Sequence, residues 1–158
     1  LWPEADWIGL GAALRAQGLR CVFAWGVAAE RERAQRLARG VNAAPAQGYA
    51  DAPGATQATE ASQAPQGPQA LAAPQAFGLD AWMRVLRAAE VVVGVDTGLL
   101  YLGAAVGTPA VGIYTGSSPH SVDFESAGPW RGVGERGRPP ALDEVLAAVV
   151  AVRAPAAD

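Results

Sequence analysis

The chain contains no lysine, so all 12 of its basic residues are arginine. It has one cysteine, one methionine and one histidine in 158 residues, and aromatic side chains make up only 7%. Each scarcity excludes something. Cys21 alone can form no internal disulfide, and within the apolar stretch Cys21-Val22-Phe23-Ala24 it reads as a small core residue rather than a nucleophile. No lysine of this chain can neutralise a phosphate. A net charge of -3 lacks the basic footprint of a nucleic-acid binder, so no nucleic-acid partner is expected. No apolar run reaches the length of a membrane span, and no basic-then-apolar segment opens the chain. The expectation is therefore a soluble, cytoplasmic protein.

What is present is 51% hydrophobic content over a length suited to one core, so a single domain is the default expectation. After Pro3, the residues Trp7, Leu10 and Leu14 recur at helical spacing up to Gly18, which predicts a helix with a buried stripe. A short strand ending at Trp25-Gly26 follows. A second helix is expected from Ala28 to Arg39, closed by Gly40. Its residues Glu30, Arg31, Glu32, Arg33, Arg36 and Arg39 read as a solvated face with helix-spaced ion pairs. Glu30 stands apart because it lies in the first helical turn, where a carboxylate complements the helix dipole and could also accept hydrogen bonds from ribose hydroxyls. The sequence leaves both roles open.

From residue 41 to residue 74 the composition shifts to Ala, Pro, Gln and Gly, with few large apolar side chains. Such a stretch cannot bury enough surface to offset the entropy of ordering, so it reads as a low-complexity, disordered surface insertion. Leu79, Trp82, Met83 and Leu86 then mark a helix, with Trp82 and Met83 as core packing. A closing amphipathic helix is expected around Leu142, Val145, Leu146, Val149 and Val150, with Asp143 and Glu144 in its first turn.

The most informative segment is Val91-Val92-Val93-Gly94-Val95-Asp96-Thr97-Gly98-Leu99-Leu100-Tyr101, followed by Gly107-Thr108-Pro109 and Ala110-Val111-Gly112-Ile113-Tyr114. It predicts a strand covered on both faces, a polar turn opening a helix, a stop, and a second buried strand. At the carboxyl end of such a strand the next helix offers unpaired N–H groups and the positive end of its dipole, and Gly98 permits close approach to the backbone. A diphosphate fits there. The competing reading has Asp96 merely capping the helix, and this motif alone leaves the two equal.

The order Trp2-Pro3-Glu4-x-x-Trp7, Trp25-Gly26, Glu30-x-x-Arg33-Ala34, Val95-Asp96-Thr97-Gly98-Leu99, Gly107-x-Pro109 and Tyr114 closely resembles the carboxyl-terminal half of the lipopolysaccharide heptosyltransferase I family. That family lies within glycosyltransferase family 9 and has the GT-B fold of two facing Rossmann-like domains. The resemblance covers nearly all of the chain outside the insertion. It implies an α/β fold, a Rossmann-like parallel sheet with flanking helices, truncated at its amino terminus. The whole of 1–158 would then be a partial nucleotide-sugar-binding domain.

The function implied is to bind ADP-L-glycero-D-manno-heptose for inverting transfer of heptose to Kdo of the lipid A-linked inner core. The whole enzyme would act at the cytoplasmic face of the inner membrane, with no metal and no cofactor. Carried over by position, Asp96 would contact the heptose, the Thr97 and Gly98 backbone would hold the diphosphate, Glu30 would bind the ribose, and Phe77 would lie beside the adenine.

The chain also departs from the pattern. Tyr101, carried over by the resemblance among the donor-binding positions, replaces a histidine that can contact the donor phosphates, which implies reduced activity; Thr115-Gly116-Ser117-Ser118-Pro119 replaces the usual loop after Tyr114 but remains polar and could still hydrogen-bond the donor. His120 reads as a surface residue. The acceptor-binding domain, its general-base aspartate and a first strand have no counterpart here, so no catalytic residue is assigned. A sheet lacking a strand exposes an unpaired edge, which predicts self-association. The alternative function is a non-catalytic remnant or nucleotide-sugar-binding module without turnover.

Overall fold

A helix-strand alternation runs along the chain in the order α1 (Glu4–Ala16), β1 (Val22–Phe23), α2 (Ala28–Ala43), β2 (Leu71–Ala72), α3 (Leu79–Ala88), β3 (Val92–Gly94), α4 (Gly98–Ala105), β4 (Ala110–Ile113), β5 (Trp130–Val133) and α5 (Leu142–Arg153). These elements come from a computed structural model that describes residues 1–45, 69–119 and 126–154. Most of the low-complexity segment, and His120, lie outside the described residues. The pairings β1–β2, β3–β4 and β4–β5 are all parallel, as the Rossmann-like reading requires. The chain divides into two compact units. One is Glu4–Ala76, and the other is Leu1–Pro3 with Phe77–Asp158.

In the Glu4–Ala76 unit, β1 pairs with β2, and Ala38, Val41 and Ala70 form a core against which Cys21 and Phe23 pack. Helix α1 ends where expected, with Gly18 at a φ of 84°, which an L side chain resists. Gly40 does not close α2, which continues to Ala43. The reason is steric: a Cβ on Gly40 would collide with the Ile8 side chain of α1, and one on Gly11 would lie 2.5 Å from Val41 Cγ2. These glycines serve close helix packing. The ion pairs of Arg33 and Arg36 also differ from expectation, because both guanidinium groups reach Glu4 of α1, at 3.3 and 3.1 Å.

The ends of the low-complexity segment are held by side chains that the composition did not flag. Arg15, only 5% exposed, donates to the carbonyls of Asn42 and Ala44 at 3.1 and 2.7 Å, so a cation meets the negative end of α2. Asn42 in turn pairs with Ala70 through both of its amide atoms, at 2.9 and 2.8 Å. The irregular stretch expected over 41–74 is therefore helical at its start and carries β2 near its end.

In the other unit the sheet order is β3-β4-β5. Central β4 is fully buried, but β3 is only half-buried at the edge of this sheet, which corrects the expectation of cover on both faces. Leu100, Ala104 and Ala110 form a core with Val92 and Trp130 against it. Thr108 follows the left-handed Gly107 and donates to the Leu86 carbonyl at 2.7 Å, tying the turn before β4 to α3. Trp2 is 1% exposed and its indole donates to the Pro140 carbonyl at 2.9 Å. Helix α5 buries Val145, Leu146, Ala148, Val149 and Val152 against β4 and β5. Val150 was expected in that stripe and is instead exposed.

Candidate functional site

Strands β3 and β4 are parallel and in register, with Gly94 opposite Gly112. Two residues beyond each glycine stand Asp96 and Tyr114, so the register brings both to the carboxyl edge of the sheet, where α/β folds bind ligands. Gly112 is in turn opposite Gly132 of β5, completing a row of glycines across the three strands. A Cβ on Gly112 would lie 2.9 Å from both the Trp130 and Tyr114 rings, and one on Gly132 would lie 3.2 Å from Tyr114. Gly112 and Gly132 make room for aromatic rings to lie on the sheet.

Those rings support a hydrogen-bonded chain. Buried Tyr114 has its hydroxyl 3.1 Å from that of Tyr101, and Tyr101 donates to Asp96 Oδ1 at 2.6 Å. Because a phenol has a single proton, Tyr114 is the donor to Tyr101. Tyr101 also stacks on Trp130, with centroids 6.1 Å apart. Ser117 donates to the other oxygen, Asp96 Oδ2, at 2.7 Å, and Arg136 Nε holds the Gly116 carbonyl of that loop at 3.0 Å.

The electrostatics follow from these contacts. Donation by Tyr101, then by Ser117, holds the Asp96 carboxyl below its ordinary range. Burial and the bond to Asp96 push the Tyr101 hydroxyl far up, and burial raises Tyr114 as well. Asp96 is therefore an ionised acceptor flanked by neutral phenols.

Asp96 adopts a φ of 41°, the one positive φ outside glycine among the described residues. Aspartate tolerates this region better than most residues, and such outliers concentrate where a side chain is aimed. It does not cap α4. Thr97 occupies the N-cap position and makes no side-chain cap bond, while the Asp96 carboxylate goes to Tyr101 and Ser117. That removes the simple capping reading.

Asp96, Thr97 and Gly98 are all exposed, and the first N–H groups of α4 have no partner within the helix. Beside them lies an open pocket of about 310 Å³ lined by Leu1, Val95, Asp96, Ile113, Thr115, Gly116 and Ser117. It offers a fixed carboxylate for hydroxyl groups, and the exposed start of α4 next to Asp96 offers amide donors for an anion. Among the described residues no group of three or more His, Cys, Asp or Glu is arranged to hold a metal ion.

The other expected residues stand as follows. Glu30 lies in the Glu4–Ala76 unit, where Oε2 accepts from the Gly26 and Val27 amides at 2.8 and 3.2 Å, so its helix-start role is observed. Beside it Arg31 lies over the Trp25 ring at 5.4 Å, and the Trp25 indole donates to the Ala73 carbonyl at 2.7 Å. Phe77 meets Trp82 edge-on, centroids 5.2 Å apart. Sequence reasoning gave Tyr114 and Ser117 no such part. Tyr114 was visible only as an aromatic ending a buried strand, and Ser117 only as one member of a polar loop.

A parallel α/β arrangement with helices between its strands is the architecture of a Rossmann-like protein. More narrowly, the chain belongs to glycosyltransferase family 9, the heptosyltransferases, whose pattern matches residues 50–131. It is 33% identical over 118 residues to lipopolysaccharide heptosyltransferase 1 of Salmonella typhimurium, a match taking in 75% of this chain and 29% of the relative. The Pseudomonas aeruginosa protein of the same name is 31% identical over 118 residues, covering 75% of this chain and 26% of its own length. Among solved structures, E. coli heptosyltransferase WaaC with ADP matches at a TM-score of 0.68 and 26% identity, over 95% of this chain and 39% of that one. WaaC with ADP-2-deoxy-2-fluoro heptose matches at 0.60 and 28%, over 95% and 36%. The chain thus spans less than a third of these curated relatives' length.

Proposed function

We propose that this chain is the donor-binding part of an inverting heptosyltransferase that moves heptose from ADP-L-glycero-D-manno-heptose to Kdo of the lipopolysaccharide inner core. The observation that carries the reading is the placement of an ionised, doubly hydrogen-bonded Asp96 beside the exposed start of α4, in a chain that shares its fold with a heptosyltransferase solved with ADP. In this reading the Thr97 and Gly98 amides take the diphosphate and Asp96 accepts from sugar hydroxyls. Glu30 for the ribose and Phe77 for the adenine are proposed on the resemblance. The chemistry needs no metal or cofactor from this chain. The lipid A-linked acceptor at the membrane surface and the general base belong to the whole enzyme, and no residue here is assigned them.

Titration with ADP-heptose, ADP and UDP-glucose under tryptophan fluorescence tests the proposal, since Trp130 stacks on Tyr101 and Trp25 lies near Glu30 in sequence. Saturable binding of the ADP compounds, selective against UDP-glucose and weakened by Asp96→Ala, is expected. A folded sample that responds to none of them would refute it. A binding module without turnover is the second reading, favoured by Tyr101 at the position of the family's histidine. Supplying an acceptor-binding domain in trans separates the two, because only the transferase reading predicts restored transfer.

A further inference from the structure

The pocket beside Asp96 contains one arrangement that the donor-site reading does not explain. The carboxylate is gripped at both oxygens, and one grip is anchored through two phenols to the buried face of the sheet. An exposed aspartate on a turn ordinarily samples several rotamers, at a cost in order when a ligand arrives. Here the backbone is also held in the left-handed region, so both the side chain and the main chain are set before any ligand binds.

The grip reaches well into the fold. Gly112 and Gly132 let the Tyr114 and Trp130 rings lie on the sheet, and Tyr101 is seated by both of them, by a hydroxyl contact to one and a stacked ring on the other. Tyr101 spends its single proton on Asp96 and accepts one from Tyr114, so its hydroxyl has no further proton to offer a phosphate. An imidazolium at this position would donate to an anion; this phenol is committed elsewhere.

We propose that Tyr101 is a positioning residue that fixes the Asp96 carboxylate for the sugar hydroxyls of a nucleoside diphosphate sugar, and that it is not a phosphate contact. This rests on the donor-site reading above and adds the origin of selectivity for the glycosylated nucleotide over the bare diphosphate. A carboxylate oxygen carries two lone pairs, and one donor on each leaves room for a sugar hydroxyl without breaking the grip. Tyr101 therefore acts through Asp96, and its removal costs affinity only for ligands that carry the sugar.

A double-mutant cycle tests this on the full chain, with ADP-heptose and ADP titrated against the wild type, Tyr101→Phe, Asp96→Asn and the double variant. Tyr101→Phe is expected to weaken ADP-heptose about tenfold and to leave ADP unchanged, while adding nothing in the Asp96→Asn background. Carbon NMR of the Asp96 carboxyl supplies a second readout, its titration moving to higher pH in Tyr101→Phe. Additive losses in the cycle, or equal losses for ADP and ADP-heptose, would show that Tyr101 touches the ligand itself and overturn the proposal. Failure of the folded wild type to bind ADP would instead refute the donor-site reading on which it rests. A wild type that binds ADP but does not prefer the sugar form would overturn the positioning role alone.

Discussion

Tyr101 Oη and Asp96 Oδ1 lie 2.6 Å apart, the phenol donating and the carboxylate accepting, across the first turn of α4. They stand five positions apart in sequence, yet the contact depends on Asp96 holding a backbone conformation outside the helix. It makes a flexible turn into a preset acceptor.

The pH dependence of this contact has a definite sign. Asp96 has a folded-state pKa below its unfolded one, so its contribution to stability is complete above about pH 4, the unfolded range, and fades as pH falls through the lower folded value. Carbon NMR of the Asp96 carboxyl should place its midpoint below the unfolded value, and Ser117→Ala should raise it. A midpoint at or above the ordinary aspartate value would contradict the geometry.

Trp2 fills a buried position and donates to Pro140, so Trp2→Ala is expected to destabilise the Phe77–Asp158 unit by about 3–5 kcal/mol. Trp2→Phe keeps most of the volume and loses the bond, with an expected cost of about 1–3 kcal/mol. Urea unfolding followed by circular dichroism ranks the two, and equal costs would show that the ring's packing contributes nothing beyond the hydrogen bond.

Arg15 serves the last carbonyls of α2, and its buried guanidinium has a geometry that methionine cannot reproduce. Arg15→Met should cost about 2 kcal/mol and speed amide exchange at Ala44, whose N–H bonds to Gly40 at the end of the helix. Unchanged exchange there would mean that α2 ends independently of Arg15.

Gly134 combines a φ of 79° with a close approach, since a Cβ would lie 2.5 Å from Tyr114 O and from Pro140 Cδ. Gly134→Ala is expected to destabilise by more than 1 kcal/mol, roughly the left-handed penalty by itself, with additional disturbance of Tyr114. A thermal melt reads the first effect, and a lowered preference for ADP-heptose over ADP reads the second. A neutral substitution would show that the turn after β5 relaxes freely.

Legibility in the sequence followed the range of the interaction. The spacing of Leu10 and Leu14, the Trp82 and Leu86 pair, and the apolar Ala110-Val111-Gly112-Ile113 run announce elements that the structure contains. The Asp96-Thr97-Gly98 turn was legible as the join between β3 and α4 for the same reason, because a strand, a small polar turn and a helix start are adjacent in the chain. Gly40 was misread because a glycine that ends a helix and one that lets a neighbouring helix approach look alike until Ile8 is in place. Val150 was misread because a stripe drawn on α5 alone does not say where β4 and β5 stop covering it.

By itself, the sequence determined the parallel α/β class, the order of most elements and the position of the acidic turn, since these rest on composition and periodicity within short windows. Tertiary structure decided what Asp96 does. The register of β3 on β4 brings Tyr114 beside it, Gly112 and Gly132 admit the rings that seat Tyr101, and the Ser117 loop closes on the second oxygen. The physical reason is that a carboxylate's charge state and aim depend on donors within about 3 Å, and here Ser117 comes from a segment 21 positions away while the nearby Tyr101 is seated by rings of other strands.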